Sequence, residues 1–186
     1  MGETFGEDAL LTSEMGKYAI WGFQGRDGNY SGNHVVACAK HLIAGGEPAG
    51  GLNAAPMDIS ERKLRELYLP PFVEAIRDAK VGTVMAAHNE INGIPCHGNK
   101  WMLNDLLRDE LGFDGFVVSD WMDIERLHSM HHWVPDSTEA FVVSVESGID
   151  MHMQGDKYFE TVVAAVKSGR IPEPRIDQAA GKILSV

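Results

Sequence analysis

The sequence predicts an α/β chain of about four βα units, half of a (β/α)8 TIM-type barrel. Three observations carry this. Short apolar runs alternate with amphipathic stretches along the chain, the pattern of βα repeats. Every apolar run ends in polar residues, as strands do where a barrel opens onto its site. No Gly-x-Gly-x-x-Gly follows the first run, which disfavours a nucleotide-binding open sheet. A closed barrel needs eight strands and typically about 250 residues; four strands in 186 residues make half of one.

Asp8 can cap a helix running to about Gln24, with Leu11, Met15 and Tyr18 on one stripe. Gly25 to Asn33 reads as a turn-rich loop, and Val35–Ala39 as the first strand, ending at Lys40-His41. A loop from Ala44 to Met57 follows. Asp58, with Glu61 three residues on, opens a helix whose stripe is Leu64, Leu67, Tyr68, Phe72 and Ile76. Pro70-Pro71 should kink or split it. Val81–Ala87 is the second strand, ending at His88-Asn89, and a loop from Glu90 to Asn99 leads into a helix from Trp101 to Leu111, stopped by Gly112. Phe116–Ser119 is the third strand, ending at Asp120. Asp136 with Glu139 opens another helix, and Gly148–Met153 is the fourth strand. Helices over Asp156–Ser168 and Pro174–Leu184 close the chain, with Gly169 between them.

The net charge of -11 argues against nucleic-acid binding, because a phosphate backbone would be repelled. No apolar run reaches membrane-span length, and the acidic start shows no signal peptide. Cys38 and Cys96 are too few for a disulfide framework, and Cys38, in an apolar run, reads as a small buried residue. Met1-Gly2 running straight into a loop looks like a start methionine on a piece of something longer.

The clearest chemical signal is Phe113 to Trp121, an apolar run ending in Asp120 and Trp121. A carboxylate can meet a cationic transition state while an indole offers a flat face to a sugar ring. Asp120 could equally cap a helix starting near Met122, and Trp121 could be plain core. Lys40 and His41 admit three readings: hydrogen bonds to sugar hydroxyls, a Schiff-base lysine, or a strand end leaving for solvent. His88 and Asn89 could line the same pocket, whereas Asn92-Gly93 is a turn and Glu90 a solvated loop residue. His128, His131 and His132 have i, i+3, i+4 spacing, but with no matching carboxylate or thiol a surface cluster explains them better than a metal. Neither a metal nor a cofactor is expected. Asp150, inside an apolar strand, reads as structural support needing partners.

These motifs together resemble the catalytic barrel domain of glycoside hydrolase family 3, the β-glucosidases, β-xylosidases and related exo-acting enzymes. The likeness lies in Glu3 to Asp8, Val36 to His41, Glu66 to Phe72, Val84 to Asn89 with Asn92-Gly93, Gly115 to Trp121, and Gly148 to Met151, in that order. It implies that residues 1–186 form one partial domain, the C-terminal part of that barrel. Asp120 would be the nucleophile of a retaining mechanism, forming a covalent glycosyl intermediate on a β-glucosyl-type substrate. Lys40, His41 and His88 would bind substrate, Trp121 would flank the ring, and the Schiff-base reading recedes. Glu3 to Asp8 would follow a sugar-binding arginine.

Three departures qualify the likeness. Many members carry tyrosine where His88 stands. Leu42 to Glu47 lacks the histidine-rich loop of the amino-sugar branch, which favours the glucosidase-like branch. The acid/base, usually on a second domain, and the first barrel strands lie outside the chain. Retaining hydrolysis needs two carboxyl groups about 5–5.5 Å apart, so little or no turnover is expected from the chain alone. A non-catalytic carbohydrate-binding or assembly-only role is the alternative. Open sheet edges imply self-association. Members are often exported; the sequence leaves the compartment open.

Overall fold

The computed structural model describes residues 3–26 and 32–186; the predicted loop 25–33 falls largely outside them. Strands β1 (Cys38–Leu42), β2 (Pro56–Met57), β3 (Thr83–Ala86), β4 (Glu90–Ile91), β5 (Ile94–Pro95) and β6 (Phe116–Val118) form two small sheets. The principal one is parallel in the order β1-β3-β6. A further parallel bridge joins Val118 to Met151, so each new strand is laid beside the one before it. Helices alternate with these strands: Ala9–Gln24, a run from Glu61 to Asp78, Trp101–Glu110, Asp123–Ser129, Ser137–Ser147, Tyr158–Lys167 and Glu173–Leu184. None of the helices among the described residues is long and apolar enough to cross a membrane.

The Asp8 carboxylate accepts the Leu11 N–H at 2.7 Å and starts the first helix where the sequence places it. Its inward face is not the predicted one. Leu11, Met15 and Tyr18 are exposed, while Ser13, Ile20 and Gln24 are buried. The reason lies at the helix end. Gln24 Oε1 accepts the N–H groups of Ala37 and Gly82, and Gln24 Nε2 donates to the Lys80 carbonyl. A buried amide satisfied by the residues leading into two strands sets the helix's rotation, and hydrophobic periodicity does not register it.

The next helix is capped by Ser60 rather than Asp58, the Ser60 hydroxyl accepting the Lys63 N–H. Pro70 interrupts its hydrogen bonding, yet the backbone stays helical through Leu69, whose N–H reaches back to Leu64 O. Leu64, Phe72 and Ile76 face the core and Leu67 does not.

The first strand runs later than expected. Val35 is exposed, and β1 continues through Lys40 and His41 to Leu42. A charged residue is tolerated there because the side of β1 that carries Cys38 and Lys40 is exposed. Cys38 is therefore exposed rather than buried, and Cys96 is the buried free thiol. The second and third strands are shorter than predicted, and the fourth contracts to the single bridge at Met151. Both loops read between elements contain short strands. β2 pairs with β4, and β4 turns into β5 through Asn92 and Gly93 at φ 51° and 83°. Positive φ at both turn residues is the tight hairpin that Asn-Gly favours.

The core lies between the principal sheet and its helices, with Val84, Ala86 and Val117 packed in one cluster with Leu103, Leu106, Leu107, Ile124, Leu127 and Ile149. Gly115 keeps two backbones close, since a Cβ there would stand 2.0 Å from Gly82 O. Val142, Val145, Ala165 and Ile171 form a smaller cluster under the last helices. Asp150 fastens the fourth segment: its Oδ2 accepts the Val117 N–H at 2.8 Å and Arg108 at 2.6 Å, and its Oδ1 accepts Arg175 at 2.9 Å. That is the structural role its position predicts.

Candidate active site

The C-terminal ends of β1, β3 and β6 converge, and each delivers a functional side chain: His41, His88 and Asp120 respectively. Asp120 Oδ2 lies 3.3 Å from His41 Nε2 and 3.0 Å from His88 Nε2. Asp120 Oδ1 accepts the Trp121 N–H at 2.6 Å. The carboxylate is thus held through both oxygens. It does not cap the following helix: that helix begins at Asp123, after Met122 in the left-handed region, and receives no side-chain cap. Trp121 is 54% exposed, a surface indole rather than core.

Three neighbours absent from the predicted site hold this arrangement. Asp123 Oδ2 meets His88 Nδ1 at 2.5 Å, and Asp123 Oδ1 accepts Arg126 Nη1 at 2.5 Å. His97, buried, accepts the Asp120 backbone N–H on Nε2 at 3.0 Å. Its ring proton therefore sits on Nδ1, which faces Asp123 at 3.8 Å. Glu3 accepts Lys40 Nζ at 2.9 Å and lies 3.7 Å from His41 Nε2. Asp123 shows a faint signal as an acidic residue in a helix's first turn; His97 shows none. Glu3 carried only the family likeness of its segment. The Lys40–His41 and Leu42–Ile43 peptide bonds are cis.

The surroundings give each group its charge. The hydrogen bond to Asp123 outweighs burial and raises the His88 pKa, favouring the imidazolium. Burial, joined by the Lys40 charge, lowers that of His41. Burial drives His97 down to about 4, so it is neutral. Burial would raise Asp123, but His88, His97 and Arg126 outweigh it and keep the carboxyl below its ordinary value. Lys40 likewise lowers Glu3.

His41, His88 and Asp120 each offer a ligand atom, all within 4.8 Å of one another. They are the group among the described residues that could hold a metal ion. The His128, His131 and His132 spacing does not produce one. The helix ends at Ser129, His128 faces the Val134 carbonyl, and His131 faces the His88 carbonyl and Glu90. Glu90 is accordingly half-buried rather than a solvated loop residue.

The family model described as the glycosyl hydrolase family 3 N-terminal domain matches residues 1–186. The chain belongs to glycosyl hydrolase family 3. Among its relatives, a β-xylosidase of Formosa agariphila is 44% identical over 191 residues, covering 98% of this chain and 26% of the relative. The lysosomal β-glucosidase of Dictyostelium discoideum is 40% identical, covering 99% and 23%. A solved β-glucosidase from Listeria innocua in complex with glucose superposes with a TM-score of 0.92 at 34% identity, covering 98% of this chain and 25% of that one. The chain spans about a quarter of the length of the curated relatives it matches.

Proposed function

We propose that this chain carries the nucleophile half of a retaining, exo-acting β-glycosidase site, acting on terminal β-glucosyl or β-xylosyl residues. The observation that carries it is Asp120, fixed at a strand end with two imidazoles on one oxygen and a backbone amide on the other. A carboxylate so held attacks the anomeric carbon in line and forms a glycosyl ester as the glycosidic bond breaks, the aglycone leaving with a proton from the acid/base. Water, deprotonated by that same group, then bonds to the anomeric carbon and the Asp120 carboxylate departs. Lys40 and His41 present donors for ring hydroxyls, and the exposed Trp121 indole flanks the sugar. The Listeria innocua enzyme was also solved with gluconolactone and with isofagomine, which supports a sugar-sized ligand in a site of this kind.

The acid/base comes from outside these residues. Glu3 shares His41 with Asp120, but Lys40 keeps it ionised, the wrong state for a proton donor. Asp123 is ionised too and occupied by His88 and Arg126. Among the described residues, a barrel-like progression of neighbouring parallel strands, unpaired beyond β1 and Met151, supports the reading of a half barrel completed by further chain. A dinitrophenyl 2-deoxy-2-fluoro-β-glucoside needs little acid assistance, so the protein should release about one equivalent of dinitrophenolate and stop. Asp120→Asn should release none. Steady release, or equal release by the variant, would refute the nucleophile assignment. Binding of isofagomine without any release would favour a carbohydrate-binding role instead.

A further inference from the structure

We propose that His41, His88 and Asp120 also form a binding site for a borderline divalent cation of the zinc or copper type, and that the cation and the sugar exclude one another. The second half rests on the functional reading above; the first does not. Two ligand atoms each about 2.0–2.1 Å from a tetrahedral zinc ion stand about 3.4 Å apart. The two imidazole-to-carboxylate edges here measure 3.3 Å and 3.0 Å. The imidazole-to-imidazole edge lies within 4.8 Å, close enough for a small ring rotation to close it. The rings are already near parallel, 28° apart with centroids at 5.8 Å.

The surroundings match what metal-binding histidines have. The 2.5 Å contact from His88 Nδ1 to Asp123 keeps a proton on Nδ1, so a cation binds at Nε2 by displacing the proton that Nε2 shares with Asp120, and Arg126 holds Asp123 in place. Carboxylates behind ligating histidines orient the ring and raise its basicity. The three ligands sit on three neighbouring strands or strand ends rather than on one flexible loop. Two fixed cations stand by the site, Arg126 with Nη1 3.4 Å from His88 Nδ1 and Lys40 beside His41, and each is paired, with Asp123 and Glu3 respectively, which offsets its repulsion. Three protein ligands leave a fourth position for water, but Asp120 Oδ2, the oxygen meant for the sugar, is occupied. A bound cation therefore blocks the nucleophile.

Cobalt(II) reports the site directly, since tetrahedral nitrogen and oxygen ligation gives strong visible absorption. Titration of the protein should give that spectrum with saturation near one equivalent. His41→Gln and His88→Gln should each weaken binding at least tenfold, and Asp123→Asn by about 10–100-fold. His132→Gln, on an exposed residue that is not one of the three ligands, should leave it unchanged. Isofagomine should bleach the spectrum. Absence of a saturable tetrahedral spectrum, or its loss in His132→Gln with retention in His41→Gln, overturns the cation site. A cation spectrum that isofagomine leaves untouched overturns mutual exclusion. Cation binding in a protein that never labels on Asp120 would keep the site and sink the glycosidase reading; labelling without cation binding would do the reverse.

Discussion

Acidification should destabilise this protein through His97 before the carboxylates titrate. His97 is 2% exposed, and its Nε2 accepts the Asp120 backbone N–H, so burial keeps it neutral. Its pKa falls from 6.5 to about 4. In the unfolded chain the imidazole takes a proton below about 6.5, whereas in the folded chain it stays neutral until about 4. The stabilisation is therefore complete above the unfolded value and is lost as pH falls through that window. A gap of about 2.5 pKa units at about 1.4 kcal/mol per unit amounts to roughly 3 kcal/mol, of which about 2 kcal/mol is lost by pH 5. The groups facing it are Asp120, Asp123, His88 and His131. His88, raised in the folded state, contributes in the opposite sense, stabilising at low pH and losing that as pH rises. His41, lowered, adds to the His97 effect. Comparison with His97→Gln, whose amide oxygen can accept the same N–H, cancels both. Urea denaturation at pH 8 and pH 5 should show the wild type losing about 2 kcal/mol more than the variant. Equal losses would refute the buried-neutral imidazole.

Asp150→Ala should destabilise by about 3–5 kcal/mol in the same assay, because Arg108 and Arg175 would be left buried without their carboxylate. Gly115→Ala should cost several kcal/mol or prevent folding, since the new Cβ would lie 2.0 Å from Gly82 O, a backbone atom. An alanine at exposed Gly112, with nothing within 4 Å, serves as comparison and should cost only the strain of its φ of 74°. Trp121→Ala should weaken isofagomine binding in calorimetry by about 1–2 kcal/mol while leaving the melting temperature nearly unchanged, because the indole is exposed and its loss opens no cavity.

Much of the architecture was legible because strand and helix periods differ. The alternation of Val84, Ala86 and Val117 strands with helices, the Asp8 and Asp136 caps, and the Asn92-Gly93 turn all follow from local chemistry. What escaped was set by tertiary contacts. Gln24 turned the first helix away from its widest apolar stripe by bonding three backbone groups. Lys40 and His41 lie inside β1, where a reading that stops at the first charge ends too soon. At the site, Asp120, His41 and His88 could be named because each ends or nears the end of a strand. His97 and Asp123 could not, because a buried imidazole and a first-turn acid look ordinary until folding sets them behind the catalytic candidates.

The most direct test locates the covalent bond. After incubation with the 2-deoxy-2-fluoro glucoside, proteolysis and tandem mass spectrometry should find a single fluoroglucosyl ester on the Asp120 side chain. An ester on Glu3 or Asp123 instead, or an unmodified protein that nevertheless binds the reagent, would contradict the assignment.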